Sequence, residues 1–420
     1  MKVLLIHIYY TNNANGASTV VFSLIDLLRK NGNEPYLFAT SNQPYKDVNY
    51  PYIKFFPNNT NTNGKFKIID YIKNLILCIY NNEARKKIEL MIDEINPDIV
   101  HIHTIGNLSF SIVNPIKKRF IPIIYTLHDA RYFCPCLFTI GLKYCTDCKS
   151  FNVLPCILKK CSSNNFFRSL YIAFKTIIIR LICPLKDIDV ITVPSISMKN
   201  YLLKFNVSEK KLKLLENFVN DNFMHNAPSF VNKGYFLYAG GLYKQKGIYT
   251  LLEAMKTLPK DIELHIAGEI SNKKEQTKIN KILQKSNLLN VKVLGKLEIE
   301  KLKEQYKNCI SVIMPSELFE SFGMINIECA TYGKPSISSN IGGLSDFVEN
   351  NKNGLLFEPA NVEQLKECIL KYWNNPELVI EHGKNAYHKA ITQYTEENHY
   401  KKLIKLYEEV IDEYKLLHSL

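Results

Sequence analysis

Short apolar runs alternate with amphipathic segments along the first half of the chain. Residues 19–30 have the spacing of an amphipathic helix that Gly32 closes, and the apolar runs around it have the length of buried strands. The predicted strands are 3–8, 35–39, 98–103, 122–128 and 189–193. Strands that are apolar on both faces and separated by helices indicate a parallel, doubly wound sheet.

The same alternation begins again after an asparagine-rich passage at 217–233. A helix is predicted at 248–258, and the predicted strands are 234–239, 262–267, 291–294 and 310–314. The chain has 420 residues, whereas a single hydrophobic core rarely serves more than about 250–300 residues. We therefore predict an α/β fold with two facing doubly wound, Rossmann-like domains.

The expected domain boundaries follow from this restart. Residues 1–216 form the first domain, which carries a cysteine-rich insertion at 134–161, and residues 217–397 form the second. The last segment, 398–420, has a long helical pattern at 398–417. We expect this helix to pack back on the first domain.

The stretch 314–343 carries the strongest chemical signal in the sequence. A predicted strand ends at Met314, and helical spacing begins near Gly323. Free backbone N–H groups and the positive end of a helix dipole converge at such a turn, which favours an anion such as a phosphate. Glu320 and Glu328 flank the turn and can only accept hydrogen bonds, so they suit a ligand with hydroxyls beside its phosphates. The alternative for both residues is an ordinary acid on a loop or helix surface.

The composition adds a strong positive charge. The sequence has 53 Lys and Arg against 40 Asp and Glu, a formal net charge of +13. This charge favours an anionic partner but does not choose among nucleic acid, acidic lipid and phosphorylated substrate, and a generally lysine-rich composition is the alternative explanation.

The sequence has no recognisable secretion signal and no apolar run of transmembrane length, which predicts a cytoplasmic protein. Residues 171–182 nevertheless resemble a surface helix. Its apolar residues at helical spacing are Tyr171, Phe174, Ile178 and Ile182, and its basic neighbours are Arg168, Lys175 and Arg180. A basic amphipathic helix suits the inner face of a cell membrane, and an ordinary core helix is the alternative.

The eleven cysteines are unevenly distributed, because six of them lie between residues 134 and 161. The spacing of Cys145, Cys148, Cys156 and Cys161 is compatible with a tetrahedral structural zinc site. Free or redox-linked thiols are the alternative, as expected in a reducing compartment.

Several motifs together resemble glycosyltransferase family 4, whose members have the GT-B architecture of two facing Rossmann-like domains. Glu320 and Glu328 match the E-x7-E element of the family, and Gly342-Gly343 matches the glycine pair that follows it. The segments NKNGLLFEP, PDIVHIHT and IPIIYTLHDARYFCP are also similar to family segments. The resemblance implies a retaining, metal-independent enzyme that transfers a sugar from a nucleoside diphosphate sugar to a glycan or lipid-linked acceptor in surface polysaccharide synthesis.

The resemblance also implies roles for single residues. Glu328 is expected to bind the ribose hydroxyls, Glu320 the hydroxyls of the transferred sugar, and Lys246 the leaving phosphate. The diphosphate is expected to lie on the turn that contains Ser321, Phe322, Gly323, Met324 and Ile325.

The first domain is expected to contribute residues from the ends of its strands and from the loop after its first strand. His128 is expected to reach the donor sugar, and His103 and Gly16 to line the acceptor side. For His128 the alternative is a structural histidine that hydrogen-bonds to Asp129, and of His101 and His103 at least one is expected to be structural.

One position departs from the family pattern. Many family members carry an arginine directly after the first glycine of the turn that follows the second domain's first strand, and this chain has Gly241 there. Lys244 is expected to supply positive charge in its place, although lysine offers a point charge where arginine offers a two-pronged grip.

Two other functions compete with sugar transfer. The charge and the cysteine cluster would suit a zinc-stapled nucleic-acid-binding protein, but the basic residues are spread along the chain and form no stripe interleaved with aromatic residues. We therefore expect no nucleic-acid partner. The same fold would also accommodate a nucleotide-sugar epimerase or a phosphorylase.

Overall fold

The computed structural model describes most of the chain. The described residues are 1–10, 16–40, 50–58, 68–130, 132–135, 145–149, 151–162, 164–182, 185–224, 227–230, 233–270 and 273–418. The strands are β1 (Lys2–His7), β2 (Glu34–Phe38), β3 (Ile99–Thr104), β4 (Ile123–Thr126), β5 (Val190–Val193), β6 (Leu212–Leu214), β7 (Tyr235–Ala239), β8 (Glu263–Ala267), β9 (Val291–Gly295), β10 (Val312–Met314), β11 (Ser336–Ser339) and β12 (Gly354–Phe357).

The α-helices surround these strands. They are α1 (Gly16–Lys30), α2 (Ile68–Ile79), α3 (Asn82–Ile95), α4 (Val113–Lys118), α5 (Leu154–Leu158), α6 (Phe166–Ile182), α7 (Ile196–Leu203), α8 (Asp221–Met224), α9 (Ile248–Thr257), α10 (Lys273–Lys285), α11 (Ile299–Asn308), α12 (Met324–Ala330), α13 (Gly343–Phe347), α14 (Val362–Trp373), α15 (Pro376–Gln393) and α16 (Glu396–His418).

Within the described residues, the strands form two six-stranded parallel sheets. The first has the order β2-β1-β3-β4-β5-β6, and the second has the order β12-β11-β10-β7-β8-β9. The predicted α/β class with two doubly wound units is thereby confirmed. Each of the predicted strands is present within two residues of its expected limits, whereas β6, β11 and β12 were not predicted.

Each sheet has one place where the strand order reverses. In the first sheet the reversal lies between β1 and β3, and in the second it lies between β7 and β10. Because crossover helices leave such neighbouring strands in opposite directions, a crevice opens beyond their carboxyl ends, and ligands of doubly wound sheets bind there. In the second sheet, the loops after β7 and β10 therefore border this crevice.

The apolar runs of the strands account for the cores. Val3, Leu4, Leu5 and Ile6 of β1 are fully buried in one cluster around the first sheet, while the second sheet is covered by a separate cluster on each face. Helix α16 belongs to the first cluster, because Leu403, Tyr407 and Val410 are buried in it. This terminal helix thus lies against the first sheet, and Tyr407 Oη lies 2.6 Å from Nδ1 of His101.

Specific contacts join the two halves. Asp346 of α13 accepts hydrogen bonds from the backbone N–H and the hydroxyl of Ser197, at 2.8 and 2.6 Å. The ring of Phe319, from the loop after β10, lies 5.1 Å from that of Tyr201 in α7. Phe319 is only 7% exposed and is packed in the core of the first sheet.

The predicted surface helix is part of α6. Of its four predicted surface residues only Phe174 is exposed, and Tyr171, Ile178 and Ile182 are half-buried. The exposed apolar stripe is rotated toward residues 167, 170 and 181, because α6 packs with its small residues inward. No helix in the described ranges has both the length and the apolarity needed to cross a bilayer.

Candidate functional site

Two loops meet at the reversal point of the second sheet. The loop after β7 carries Lys246, and the loop after β10 carries Glu320. Gly247, at the start of α9, has a φ of +73°, and a Cβ there would lie 1.6 Å from the carbonyl oxygen of Pro315. Only glycine permits this approach, which brings the two loops into contact.

Lys246 and Glu320 form an ion pair across these loops. Nζ of Lys246 lies 2.5 Å from Oε1 of Glu320, and the hydroxyl of Ser316 donates to the same oxygen at 2.8 Å. Burial lowers the pKa of Lys246, but the Glu320 carboxylate outweighs this effect, so the pKa lies above its usual value. The amine therefore carries a full positive charge at neutral pH, in a pocket where charge is poorly screened.

The turn that starts at Glu320 is supported from behind by the glycine pair. The N–H of Gly343 donates to the carbonyl of Glu320 at 2.7 Å. A Cβ on Gly342 would lie 2.2 Å from that carbonyl oxygen, and one on Gly343 would lie 2.6 Å from Cα of Phe322. The Gly342-Gly343 motif thus has a physical reason, since side chains at either position would push the turn out of place.

The helix after the turn is shorter than the sequence predicts. Residues 323–332 have helical spacing, but α12 covers Met324–Ala330 and then ends in a turn. Gly323 precedes the helix and makes no side-chain cap, which leaves the first backbone N–H groups of the helix without a side-chain acceptor in the described structure.

Glu328 lies in α12 and is partly buried. Its Oε2 accepts a hydrogen bond of 3.0 Å from the hydroxyl of Tyr306, which is itself fully buried in α11. Burial raises the pKa of the Glu328 carboxyl, and the bond from Tyr306 opposes part of that shift. One oxygen of this carboxylate is therefore held in place by the protein.

A small cavity of about 60 Å³ lies between the two loops. Its lining includes the predicted residues Gly241, Lys246 and Ile325, together with Gly240 and Ser316. The structure thus brings together residues that are far apart in the sequence, and it surrounds them with backbone that approaches closely.

Gly241 is next to an aromatic ring. A Cβ at this position would lie 2.4 Å from Cε1 of Tyr243, so Tyr243 covers the space that a side chain at position 241 would enter. Lys244, the next residue, is exposed. The glycine at position 241, where many family members have an arginine, therefore goes together with the nearby ring of Tyr243. The sequence motif did not indicate Tyr243.

In the first half, His103 and His128 face each other from the ends of β3 and β4. Nδ1 of His103 lies 2.9 Å from Nε2 of His128. Burial lowers the pKa of His128 to about 4, although Asp129 acts in the opposite direction. Burial also holds the pKa of His103 well below its usual value. The hydrogen-bond partner that the structure gives His128 is thus His103, and both rings are neutral at physiological pH.

His101 lies on the same strand as His103, two residues earlier. It is fully buried, and its two ring nitrogens lie 2.6 Å from Tyr407 Oη and from Thr126 Oγ1. Such a saturated, buried imidazole is structural, as we expected of at least one of the two histidines on β3. Gly16 begins α1, and most of the loop before it, residues 11–15, lies outside the described residues.

A larger cavity of about 240 Å³ lies beside the histidine pair. His103, His128 and Asp129 form its polar wall, and Lys175 and Ile179 of α6 close another side. Its aromatic residues are Phe110, Tyr125 and Tyr132. The mixture of aromatic faces, imidazole, carboxylate and ammonium is suited to a polar ligand with hydroxyl groups.

The candidate zinc ligands influence one another, because burial and then the thiols of Cys156, Cys145 and Cys148 raise the pKa of Cys161, and a structural zinc site stays a prediction. Among the residues that the structure describes, no three His, Cys, Asp or Glu side chains are placed to hold a metal ion. Cys145, Cys148, Cys156 and Cys161 form no disulfide with one another, and burial raises the pKa of Cys148 to about 11. Cys136 of the same segment lies outside the described residues.

Three site residues were missed by the sequence analysis. Ser316 directly follows the β10 run, so its position at a strand end was a usable signal. The sequence carried no signal for Tyr306 or Tyr243, because only the folded packing brings their side chains next to Glu328 and Gly241.

Comparison with known proteins covers most of the chain. A family model described as Glycosyltransferase Family 4 matches residues 14–223, and one described as Glycosyl transferases group 1 matches residues 220–389. An uncharacterised glycosyltransferase of Methanocaldococcus jannaschii is 31% identical over 173 residues, which are 41% of this chain and 47% of that protein.

Two characterised relatives are also similar. O-antigen chain mannosyltransferase C of Escherichia coli is 26% identical over 184 residues, 43% of this chain and 48% of that protein. The poly(ribitol-phosphate) alpha-N-acetylglucosaminyltransferase of Staphylococcus aureus is 30% identical over 200 residues, 46% of this chain and 38% of that protein. The matches thus span about half the length of these relatives, or less.

Solved structures share the fold. HepE of Anabaena, in complex with UDP and glucose, superposes with a TM-score of 0.69 at 15% identity and covers 97% of this chain and 100% of its own. Sucrose-phosphate synthase of Thermosynechococcus elongatus gives 0.71 at 19% identity, covering 98% and 99%. These similarities confirm the predicted GT-B architecture.

Proposed function

Because this chain belongs to glycosyltransferase family 4, we propose that it transfers a sugar from a nucleoside diphosphate sugar to a glycan or lipid-linked acceptor in surface polysaccharide synthesis. The observation that carries the proposal is the Lys246–Glu320 pair at the strand reversal of the second sheet. A cation and a hydroxyl acceptor side by side suit a phosphate joined to a sugar.

The donor lies in the second half in this proposal. Glu328 accepts hydrogen bonds from the ribose hydroxyls with the oxygen that Tyr306 does not use, and the backbone of residues 321–325 faces the diphosphate. Glu320 accepts from hydroxyls of the transferred sugar, with its second oxygen available while Oε1 is held by Ser316 and Lys246.

In the reaction, the bond between the anomeric carbon and the diphosphate oxygen breaks while the acceptor oxygen bonds to the same carbon. The acceptor proton leaves with the diphosphate, and the anomeric configuration is retained. Lys246 stabilises the negative charge that develops on the leaving phosphate, which is where a fixed cation lowers the barrier most. We propose that no metal ion is needed, since this amine supplies the charge.

The acceptor lies in the first half in this proposal. The cavity with His103, His128 and Asp129 provides hydrogen-bond partners beside the reacting sugar, and His128 reaches the donor sugar as a neutral imidazole. This divides the work between residues 1–216 on the acceptor side and residues 217–397 on the donor side, with α16 packed on the first sheet.

The relatives support the kind of donor and acceptor. HepE binds UDP and glucose, and the two characterised relatives add sugars to O-antigen and to poly(ribitol-phosphate). We propose a uridine diphosphate sugar as donor, and we propose that the protein works in the cytoplasm, peripherally on the inner face of the cell membrane, where lipid-linked acceptors are held.

Thermal denaturation with a panel of nucleoside diphosphates and their sugars tests the donor. A ligand that binds only the folded state raises the melting temperature, and at 100 times its Kd it adds about 2.7 kcal/mol of stability. Product analysis by mass spectrometry with and without acceptor glycans then tests the reaction. A donor converted to a different nucleotide sugar without acceptor would indicate an epimerase, and no stabilisation by any nucleotide would contradict the proposal.

A further inference from the structure

Helix α6 has its large apolar residues on the outside. Its buried residues are the small or polar Ser169, Ala173 and Thr176. Its exposed apolar residues, with their exposed fractions, are Phe166 (46%), Phe167 (78%), Leu170 (44%), Phe174 (53%) and Leu181 (66%). A helix that packs on a protein core shows the reverse arrangement, so this stripe is suited to another apolar medium.

The short helix α5 packs beside α6 and continues the apolar surface. The hydroxyl of Ser169 in α6 accepts a 2.9 Å hydrogen bond from the N–H of Ser162, and Cys156 is buried between the two helices. The exposed apolar residues on and before α5 are Phe151 (55%), Leu154 (56%) and Leu158 (69%). We call the exposed apolar residues of these two helices, with Phe151, the docking face.

The charge around the docking face is mostly positive, although Asp147 at its edge pairs with Lys159. Between Asp147 and Asp187 the sequence contains seven Lys and Arg residues and no Asp or Glu. Of these, Lys149, Lys160 and Arg168 are exposed, whereas Arg180 donates to backbone carbonyls of Phe133 and Cys148. Apolar side chains bordered by exposed cations are the combination that binds an anionic bilayer surface.

We propose that the docking face seats the protein on the surface of an anionic phospholipid bilayer. The inference deepens the proposed function, on which its biological meaning rests, by assigning membrane attachment to one surface. Phe167, Phe174 and Leu158 enter the boundary between headgroups and acyl chains, and Lys160 and Arg168 remain at the level of the headgroup phosphates.

The position of this surface fits the cavity with the histidine pair. Lys175 and Ile179 line that cavity from the side of α6 that faces the sheet. The cavity therefore lies about one helix diameter, roughly 10 Å, behind the docking face. An acceptor anchored in the bilayer would need to extend only this distance to reach His128.

Vesicle sedimentation of the full chain tests the inference. We expect binding to vesicles of phosphatidylglycerol and phosphatidylcholine, weak binding to vesicles of phosphatidylcholine alone, and release at high salt. The double variant Phe167→Ser/Phe174→Ser should lower the partition coefficient by about a hundredfold or more, from the apolar area removed. Lys160→Gln/Arg168→Gln should lower it about fivefold per charge, on anionic vesicles only.

Matched controls lie in the other half of the chain. Leu289 is 83% exposed and Lys285 is exposed, so Leu289→Ser and Lys285→Gln should leave vesicle binding unchanged. Equal binding of the docking-face variants and the parent would overturn the inference. A second result would also overturn it: the parent is a dimer that does not bind vesicles, and the Phe167→Ser/Phe174→Ser variant is a monomer. A second copy of the chain would then cover the docking face.

The nucleotide panel keeps this inference separate from the proposed function. Vesicle binding without stabilisation by any nucleotide sugar would leave the docking face standing and contradict sugar transfer. Nucleotide binding and transfer to a soluble acceptor, with no affinity for anionic vesicles, would support sugar transfer and contradict the docking face.

Discussion

Lys246 and Glu320 form a 2.5 Å ion pair although 74 positions separate them in the sequence. The pair spans the two loops at the strand reversal of the second sheet, with Ser316 as a third partner. These protein groups fix the cation beside a hydroxyl acceptor, which is the condition for electrostatic stabilisation with little reorganisation.

Replacing Lys246 with Ala should lower kcat about 10²–10³-fold, the usual cost of losing one fixed charge at a reacting phosphate. Measured with the donor that the nucleotide panel identifies, KM should change less than kcat. Lys256→Ala, which breaks the exposed pair of Lys256 with Glu253, serves as the control and should keep normal turnover. Normal turnover of Lys246→Ala would remove this residue from the reaction.

Glu328→Gln should weaken binding of the nucleoside diphosphate about hundredfold, because two hydrogen bonds to a charged group are each worth about 1.5–3 kcal/mol. Tyr306→Phe should weaken it less, since it removes only the bond that orients the carboxylate. Calorimetric titration measures both. Unchanged affinity of a folded Glu328→Gln variant would exclude Glu328 from the donor site.

Gly241→Arg tests the departure from the family pattern. Alone it should cost about 1–3 kcal/mol of stability, the usual range for overpacking, because a Cβ there meets the ring of Tyr243 at 2.4 Å. Gly241→Arg/Tyr243→Ala should recover that stability and bind the diphosphate more tightly than the parent, since arginine can grip phosphate with two N–H groups. Equal losses in the single and double variants would show that Tyr243 is not the obstacle.

The buried histidines should make the fold sensitive to acid. Burial lowers the pKa of His101 to about 3, whereas an unfolded histidine has a pKa of about 6.5. The unfolded chain therefore binds more protons between these values, and the free energy of unfolding falls as pH drops below about 6.5.

Urea denaturation at several pH values between 4 and 7 measures this effect. The variant His101→Asn should reduce the slope of the free energy of unfolding against pH by about 1.4 kcal/mol per pH unit within that window. His388→Asn, which changes an exposed histidine, should leave the slope as it is. An unaltered slope in His101→Asn would mean that His101 is protonated in the folded protein.

The predicted strands are the continuous or nearly continuous apolar runs, whereas β6, β11 and β12 were missed, and β11 shows most clearly why a strand escapes detection. Strand β11 is SISS, and its serines are fully or almost fully buried. Ser338 donates to Oδ1 of Asn326 at 3.2 Å, and the hydroxyl of Ser336 lies 3.5 Å from Sγ of Cys329. The partners of the buried Ser336 and Ser338 hydroxyls lie elsewhere in the chain and leave no pattern along the strand, so periodicity has nothing to detect.

The candidate site was likewise predictable where residues form a pattern along the chain, and was missed where only folding brings them together. Glu320 and Glu328 were predicted from the strand, turn and helix pattern around them, whereas Lys246 and the glycine pair were predicted from the family resemblance, and the structure places Lys246 and the glycine pair in contact with the Glu320 turn. Tyr306 was missed because its hydroxyl reaches Glu328 from the middle of a different helix. The His103–His128 contact was also missed, because β3 and β4 had to be paired before the two rings could be seen as neighbours.

The packing of Phe319 on Tyr201 gives the loop after β10 a second anchor. Phe319 immediately precedes Glu320 but is buried in the core of the first sheet. A hinge motion that parts the two halves must therefore extract this ring or carry the Glu320 loop with it. Any variant that loosens this ring contact would therefore disturb the position of the Glu320 carboxylate without changing a residue of the loop's own polar contacts.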